Sequence, residues 1–280
     1  MQRGVVTTEV VIRGGPGRLR LATVAELINH REVWSALVRR AIRVRYRQAF
    51  IGAAWAILQP VLATLVFALF LGRLVHVPSE GVPYVPFVLV AMVGWLFFAS
   101  SATVGAESLI TERALLSKQY LPREILPLSA IGVAGVDLCF GFALALIVAN
   151  IYGLHPTIHY IGLLLPITSI IAFACGVAMI FAALNVYFRD VRLLLPFVLQ
   201  VGLFASPIAY PLGLVRDPWR DVYLFANPMA GSVDSIRATV LHGTWPDGLA
   251  ISASLITSFV VFGFGYWLFK RLERRFVDLI

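Results

Sequence analysis

Apolar residues along this chain come in long runs, not in narrow stripes. Six stretches, approximately 52 to 73, 84 to 105, 128 to 152, 160 to 185, 193 to 212 and 249 to 269, are almost free of charge. Each approaches the about 20 residues that a helix needs to cross roughly 30 Å of hydrocarbon. They predict an all-α integral membrane protein with six transmembrane helices. Pro196, Pro207 and Pro211 punctuate the fifth run. Two of these lie at its far end, where they predict a kinked or broken terminus and not a lost span.

The pattern changes between the runs. In residues 31 to 50, Trp34, Leu37, Val38, Ala41 and Ile42 recur at helical spacing while Arg39, Arg40, Arg43 and Arg47 occupy the other side. This reads as an interface helix lying along the membrane, with arginines toward lipid phosphates. Arg45 breaks the pattern: it projects near the apolar side and must snorkel or find a partner. From about 106 to 127, Glu107, Glu112, Arg113, Lys118, Arg123 and Glu124 surround Leu109, Ile110, Leu115 and Leu116. A short helix is expected up to Tyr120, ended by Pro122; it serves either as a docking surface or as a plain polar connection. Before the last run, Asn227 as cap and Pro228 at the first helical position start another short helix. It carries Met229, Val233, Ile236 and Val240, with Asp234 and Arg237 at pairing distance. This amphipathic element, re-entrant or gate-like, either covers an exit or only seals the bundle. Residues 1 to 30 read as a cytoplasmic tail, leaving 31 to 280 as one transmembrane domain.

Composition sharpens this picture. The 280 residues are 59% hydrophobic and 14% charged, with mean hydropathy +0.85, against about 25% charged in a soluble domain. A single aqueous core cannot hide so much apolar surface. The net charge of +8 suggests nucleic acid only if it forms one soluble patch, and it does not: ten of the 23 Lys/Arg precede residue 51. Counted by connection, nineteen fall on one side of the six runs and four, Arg73, Arg216, Arg220 and Arg237, on the other. The positive-inside rule then places both termini in the cytoplasm. No short apolar segment with a small-residue cleavage site follows Met1, so no cleaved signal peptide is expected. Cys139 and Cys175 lie inside apolar runs and are expected to be small buried hydrophobes, not a disulfide or metal pair.

Chemistry is sparse. Asp137 is the one acid well inside a run, and acids at that depth are costly and usually functional; it serves transport directly, makes a structural hydrogen bond or sits at a local water-lined position. His155 and His159 are four apart but separated by Pro156, and no HExxH or cysteine-rich set accompanies them, so no metal site is expected. No GxxxxGK[ST] loop occurs, so the usual ATP-binding arrangement is absent from this sequence. Trp55, Phe67, Phe70, Trp95, Phe97, Phe98, Phe197, Phe204 and Tyr210 cluster in the first, second and fifth runs. Aromatic faces stack on sugar rings, and they also pack helices. Ala174, Ala178 and Ala182 form a small-residue ridge suited to close helix approach.

Several segments, in this order, resemble the permease subunit of type-2 (ABC-2 type) ABC exporters for polysaccharides such as O-antigen, capsule and teichoic acid: RRAIRVRYRQAFIGAAWAILQP at 39 to 60, LLSKQYLPREILPLSA at 115 to 130, NVYFRDVRLLLPFVLQ at 185 to 200, ASPIAYP at 205 to 211, NPMAG at 227 to 231 and ERRFVDLI at 273 to 280. The resemblance implies a homodimer in the bacterial inner membrane, paired with two copies of a cytoplasmic ATPase that binds ATP and Mg, while this chain holds no cofactor and is not itself an enzyme. It implies ATPase coupling through Glu112, Arg113, Leu116, Ser117, Lys118 and Tyr120, and contact with a lipid-linked pyrophosphate through Arg39, Arg40, Arg43, Arg45 and Arg47. An outer gate follows at Asn227, Met229, Val233 and Ile236. Trp55, Phe67, Phe70, Trp95, Phe98, Phe204 and Tyr210 become candidates to line the conduit. The same architecture also serves exporters of small lipids or drugs, which is the alternative.

Overall fold

A computed structural model describes residues 31–47, 52–118, 121–273 and 276. The described residues are helical wherever they are regular, as long apolar runs must be when backbone groups have no water to bond. In chain order the helices are α1 (Arg31–Arg47), α2 (Trp55–Leu74), α3 (Tyr84–Thr111), the short α4 (Arg113–Lys118), α5 (Ile125–Ile151), α6 (Leu164–Tyr187), α7 (Val191–Ala205), α8 (Trp219–Ala226), α9 (Pro228–Val240) and α10 (Gly248–Leu272). Five of them, with the turn before α6 counted in, are long and apolar enough to cross a membrane. The remaining expected span, α7, has only 15 residues, about 22 Å at 1.5 Å per residue. It stops at Ala205 because Pro207 and Pro211 follow, and Ser206 is already extended. This is the broken terminus that the prolines predict.

The centre is α3. It is apolar on every side, and a helix of that kind is buried: Phe87, Val88, Leu89, Val90 and Ala91 are all inaccessible. Around it stand α2, α5, α6 and α9. The alanine ridge of α6 does what its spacing suggests. Ala174, Ala178 and Ala182 are fully buried, and Ala178 lies so close to Gly105 of α3 that a Cβ on that glycine would fall 2.6 Å from the alanine's own. On its other side α6 meets α10 backbone to backbone, where a Cβ on Gly265 would fall 2.4 Å from the Gly176 carbonyl. Serine hydroxyls join three helices at this level: Ser169 of α6 lies 2.9 Å from both Ser258 of α10 and Ser232 of α9.

Helix α1 lies across the start of α5. Its apolar stripe meets protein: Trp34 donates to the Leu128 carbonyl at 3.3 Å, and Trp34 and Val38 cover Gly132, where a Cβ would be 2.9 and 2.7 Å away from them. The face carrying α1, α4 and the end of α10 is the basic face. The opposite face carries α8 and α9. Cys175 is buried as expected, but Cys139 is exposed, because it sits on the outward side of α5 beside exposed Phe140.

Candidate functional site

On the basic face the two oddities of the sequence meet. Arg45, out of place on α1, pairs with Asp137, the acid inside α5, at 3.0 Å between Nη2 and Oδ2. Tyr46 donates its hydroxyl to the other carboxylate oxygen. Arg45 Nη1 also lies 3.4 Å from Ser100 Oγ on α3. Burial, then the bond to Asp137, pushes the Tyr46 phenol up to about 12, so it keeps its proton and remains a donor. Beside this cluster opens a small cleft lined by Gln59, Pro60, Phe97, Ser100, Arg45 and Asp137. The other arginines of α1 differ from Arg45. Arg39 bonds Ser35 within its own helix at 3.2 Å, Arg43 is exposed, and the Arg47 side chain lies outside the described residues.

Arg40 reaches Glu112 at 3.1 Å, joining α1 to the turn between α3 and α4. Glu112 also starts α4, its carbonyl accepting from Leu115 and Leu116 at 2.9 and 3.2 Å. Leu115 and Leu116 pack down on a cluster built from Leu109, Leu121, Ile125, Phe269 and Phe276. Arg113 faces outward, exposed. The expected helix thus divides: α3 continues to Thr111 and only Arg113–Lys118 forms the separate piece. The side chains of Ser117 and Lys118, and Tyr120 entirely, lie outside the described residues.

Behind α4 is a buried ion pair that sequence reading did not single out. Glu124, fully buried, faces Lys270 at 2.9 Å, and Lys270 also reaches Glu273 at 2.9 Å. Arg123 donates to the Glu273 carbonyl. The start of α5 is in this way fastened to the end of α10. The signal was available, since both Glu124 and Lys270 border apolar runs, but nothing in one dimension pairs them.

The candidate conduit aromatics separate into two groups. Trp55, Phe70 and Phe204 are 46%, 54% and 62% exposed, and Phe67 packs on Phe204 with ring centroids 6.2 Å apart. They form an outward surface of α2 and α7. Trp95 and Phe98 must be withdrawn as lining residues: each is 5% exposed, in the core, with Phe98 stacked on Phe173 at 4.6 Å. Their helix is surrounded, so its aromatics pack neighbours. Tyr210 is half-buried and tied at the end of α7, 3.2 Å from the Tyr223 hydroxyl, which itself donates to the Ala205 carbonyl at 2.7 Å.

On the opposite face Asn227 caps α9 as expected, accepting from the Met229 amide at 3.1 Å. Met229, Val233 and Ile236, proposed as gate residues, point into the protomer and are buried. They seal the bundle, and no accessible gate surface is made by their side chains. The expected pairing of Arg237 with Asp234 gives way to another arrangement. Arg237 is 1% exposed; it donates to the carbonyls of Phe87, Tyr210 and Ile208 at 3.2, 3.1 and 2.7 Å and lies 3.5 Å over the Phe87 ring. Burial pulls its guanidinium down to about 9, which leaves it charged at neutral pH. Burial, then the nearby Glu80, pushes Asp234 up.

The basic helix from Glu32 on, the turn it touches and the capped α9 fall inside residues 32–241, the stretch that matches the family described as ABC-2 type transporter. The chain belongs to the ABC-2 type transporter family. Similar proteins agree with this over nearly the full length. O-antigen export system permease protein RfbA of Myxococcus xanthus is 30% identical over 92% of this chain and 98% of its own. RfbA of Klebsiella pneumoniae is 25% identical over 87% and 93%. Polysialic acid transport protein KpsM of Escherichia coli is 24% identical over 85% and 92%. As an ABC-2 type transporter subunit, the chain presents three workable parts: a basic helix carrying a charged cluster, a short helix next to it, and an exposed aromatic surface on α2 and α7.

Proposed function

We propose that this chain is the permease subunit of an ATP-driven exporter that moves a lipid-linked polysaccharide across the cytoplasmic membrane. The observation that carries the reading is the near end-to-end similarity to the RfbA permease of Myxococcus xanthus, 30% identical over 92% of the chain. In this reading two copies form the conduit and two separate ATPase subunits bind ATP and Mg and hydrolyse the nucleotide. The basic face with its excess of Lys/Arg is cytoplasmic, and so are both termini. The ATPase docks against α4, where Arg113 is exposed and Leu115 and Leu116 bear on the ends of α3, α5 and α10. Movement there is passed to α1 through Arg40 and Glu112. Exposed aromatics of α2 and α7 give sugars a surface of weak, repeated contacts, which suits processive movement better than a deep pocket. The arginines of α1 meet the lipid-borne pyrophosphate.

The test is genetic. Deleting the gene is expected to leave polymer on its lipid inside the cell, and the intact chain to restore it to the surface. Arg43→Glu with Arg47→Glu is expected to block export while the protein stays in the membrane. Normal surface polymer in the deletion strain contradicts the proposal.

A further inference from the structure

Among the described arginines of α1, Arg45 alone is held by an acid of a membrane span. Asp137 sits well inside α5, where an unpaired carboxylate is costly, and Arg45 and Tyr46 both reach it. The pair is not sealed: the Arg45 side chain is 37% exposed, and the cleft beside it adds Ser100 and the Gln59 amide. Donors outnumber acceptors here. A guanidinium and a phenol bond one carboxylate, and a serine hydroxyl and an amide line the same cleft, an arrangement that suits an anion with more oxygens than a carboxylate has. Guanidinium groups grip carboxylate and phosphate with the same planar fork.

We propose that Asp137 is a tethered competitor for the anion site of Arg45 and Tyr46, displaced by the diphosphate group of the lipid-linked substrate. The inference rests on the exporter reading above and adds the regulation of its substrate site. When Asp137 holds Arg45, α1 is pinned to α5. When a diphosphate takes Arg45 and Tyr46, that pin is released, and α1 stays packed on the start of α5 through Trp34 and Val38 and joined to the α3–α4 turn through Arg40 and Glu112. Occupancy of the site is thereby communicated to the helix on which the ATPase docks. Because the pair is partly exposed and screened, the exchange is readily reversible.

The experiment uses the permease with its partner ATPase in nanodiscs of phosphatidylethanolamine, probed with geranylgeranyl diphosphate, geranylgeraniol and inorganic diphosphate. Asp137→Asn keeps an acceptor for Tyr46 but removes the charge. It is expected to bind geranylgeranyl diphosphate about twofold to fivefold more tightly than wild type, on the scale of one partly exposed ion pair, and to hydrolyse ATP faster than wild type without the probe. Arg45→Gln, compared at equal amounts of assembled complex, is expected to bind it more weakly than wild type. Geranylgeraniol is expected to distinguish none of the three proteins.

Equal affinity of wild type and Asp137→Asn overturns the competition, as does failure of every protein to bind the diphosphate lipid. Equal competition by inorganic diphosphate overturns the assignment to a lipid-borne group. None of these results touches the exporter reading, which fails separately if no ATPase assembles with the chain.

Discussion

Arg45 and Arg237 lie at opposite faces of the protomer, and they are held in opposite ways. Arg237 donates to three backbone carbonyls from α3 and from the segment after α7, with an aromatic ring beneath it. Backbone partners cannot be exchanged, and no water reaches the group. Arg45 is held by a side-chain carboxylate beside an open cleft, so its partner can be replaced. One arginine is a fixed rivet of the opposite face, and the other is a reversible contact on the basic face. The difference suggests that the protomer is built to keep α9 seated while α1 remains able to move.

The largest effect is expected from removing the rivet. Arg237→Ala takes a bond from the Phe87 carbonyl and leaves the Ile208 and Tyr210 carbonyls unpartnered, at about 1–3 kcal/mol for each unpartnered group, and should abolish a thermal transition in detergent or remove the protein from the membrane. Arg237→Lys should recover only part of this, because one ammonium cannot span the same three acceptors. Next comes the buried pair on the basic face. Lys270→Ala strands the inaccessible Glu124 carboxylate and should cost about 3–5 kcal/mol. Glu124→Gln added to it should restore most of the loss, read as the melting temperature of the double variant.

A smaller effect is expected at Gly231 of α9, where a Cβ would fall 2.1 Å from the Ala250 carbonyl of α10. Gly231→Ala must push the two helices apart and should cost about 1–3 kcal/mol, lowering melting temperature with a native helix content. The smallest belongs to the exposed link of α1. Arg40→Ala removes a pair whose arginine is 65% exposed, worth less than about 1 kcal/mol. Its melting temperature should match wild type while ATP hydrolysis by the assembled complex loses its response to substrate. A stability loss as large as that of Arg237→Ala would erase the contrast between the two faces.

The spans were legible because runs of about twenty apolar residues have few other uses, and the prolines after Ala205 told where α7 ends. The cap at Asn227 was legible for the same local reason. The site was only half legible. Arg45 and Asp137 each stood out as a charge in the wrong place, yet Asp137 is about ninety residues from the Arg45–Tyr46 pair that holds it, and only packing joins them. Trp95 and Phe98 misled because α3 is apolar all round, so its sequence carries no sign of which side faces a neighbour and which a passage. Asp234 and Arg237 misled through their spacing: pairing distance on a helix is no guide once carbonyls from two other segments converge on the guanidinium.

This chain is expected to conduct for a separate ATPase. Affinity purification of the chain from its native membrane, followed by identification of what accompanies it and a nucleotide hydrolysis assay, tests this most directly. A stoichiometric ATPase subunit is expected, active in hydrolysis and lost when Arg113 and Lys118 are both replaced by Glu. A chain that purifies alone, with no hydrolysis in the preparation, would contradict it.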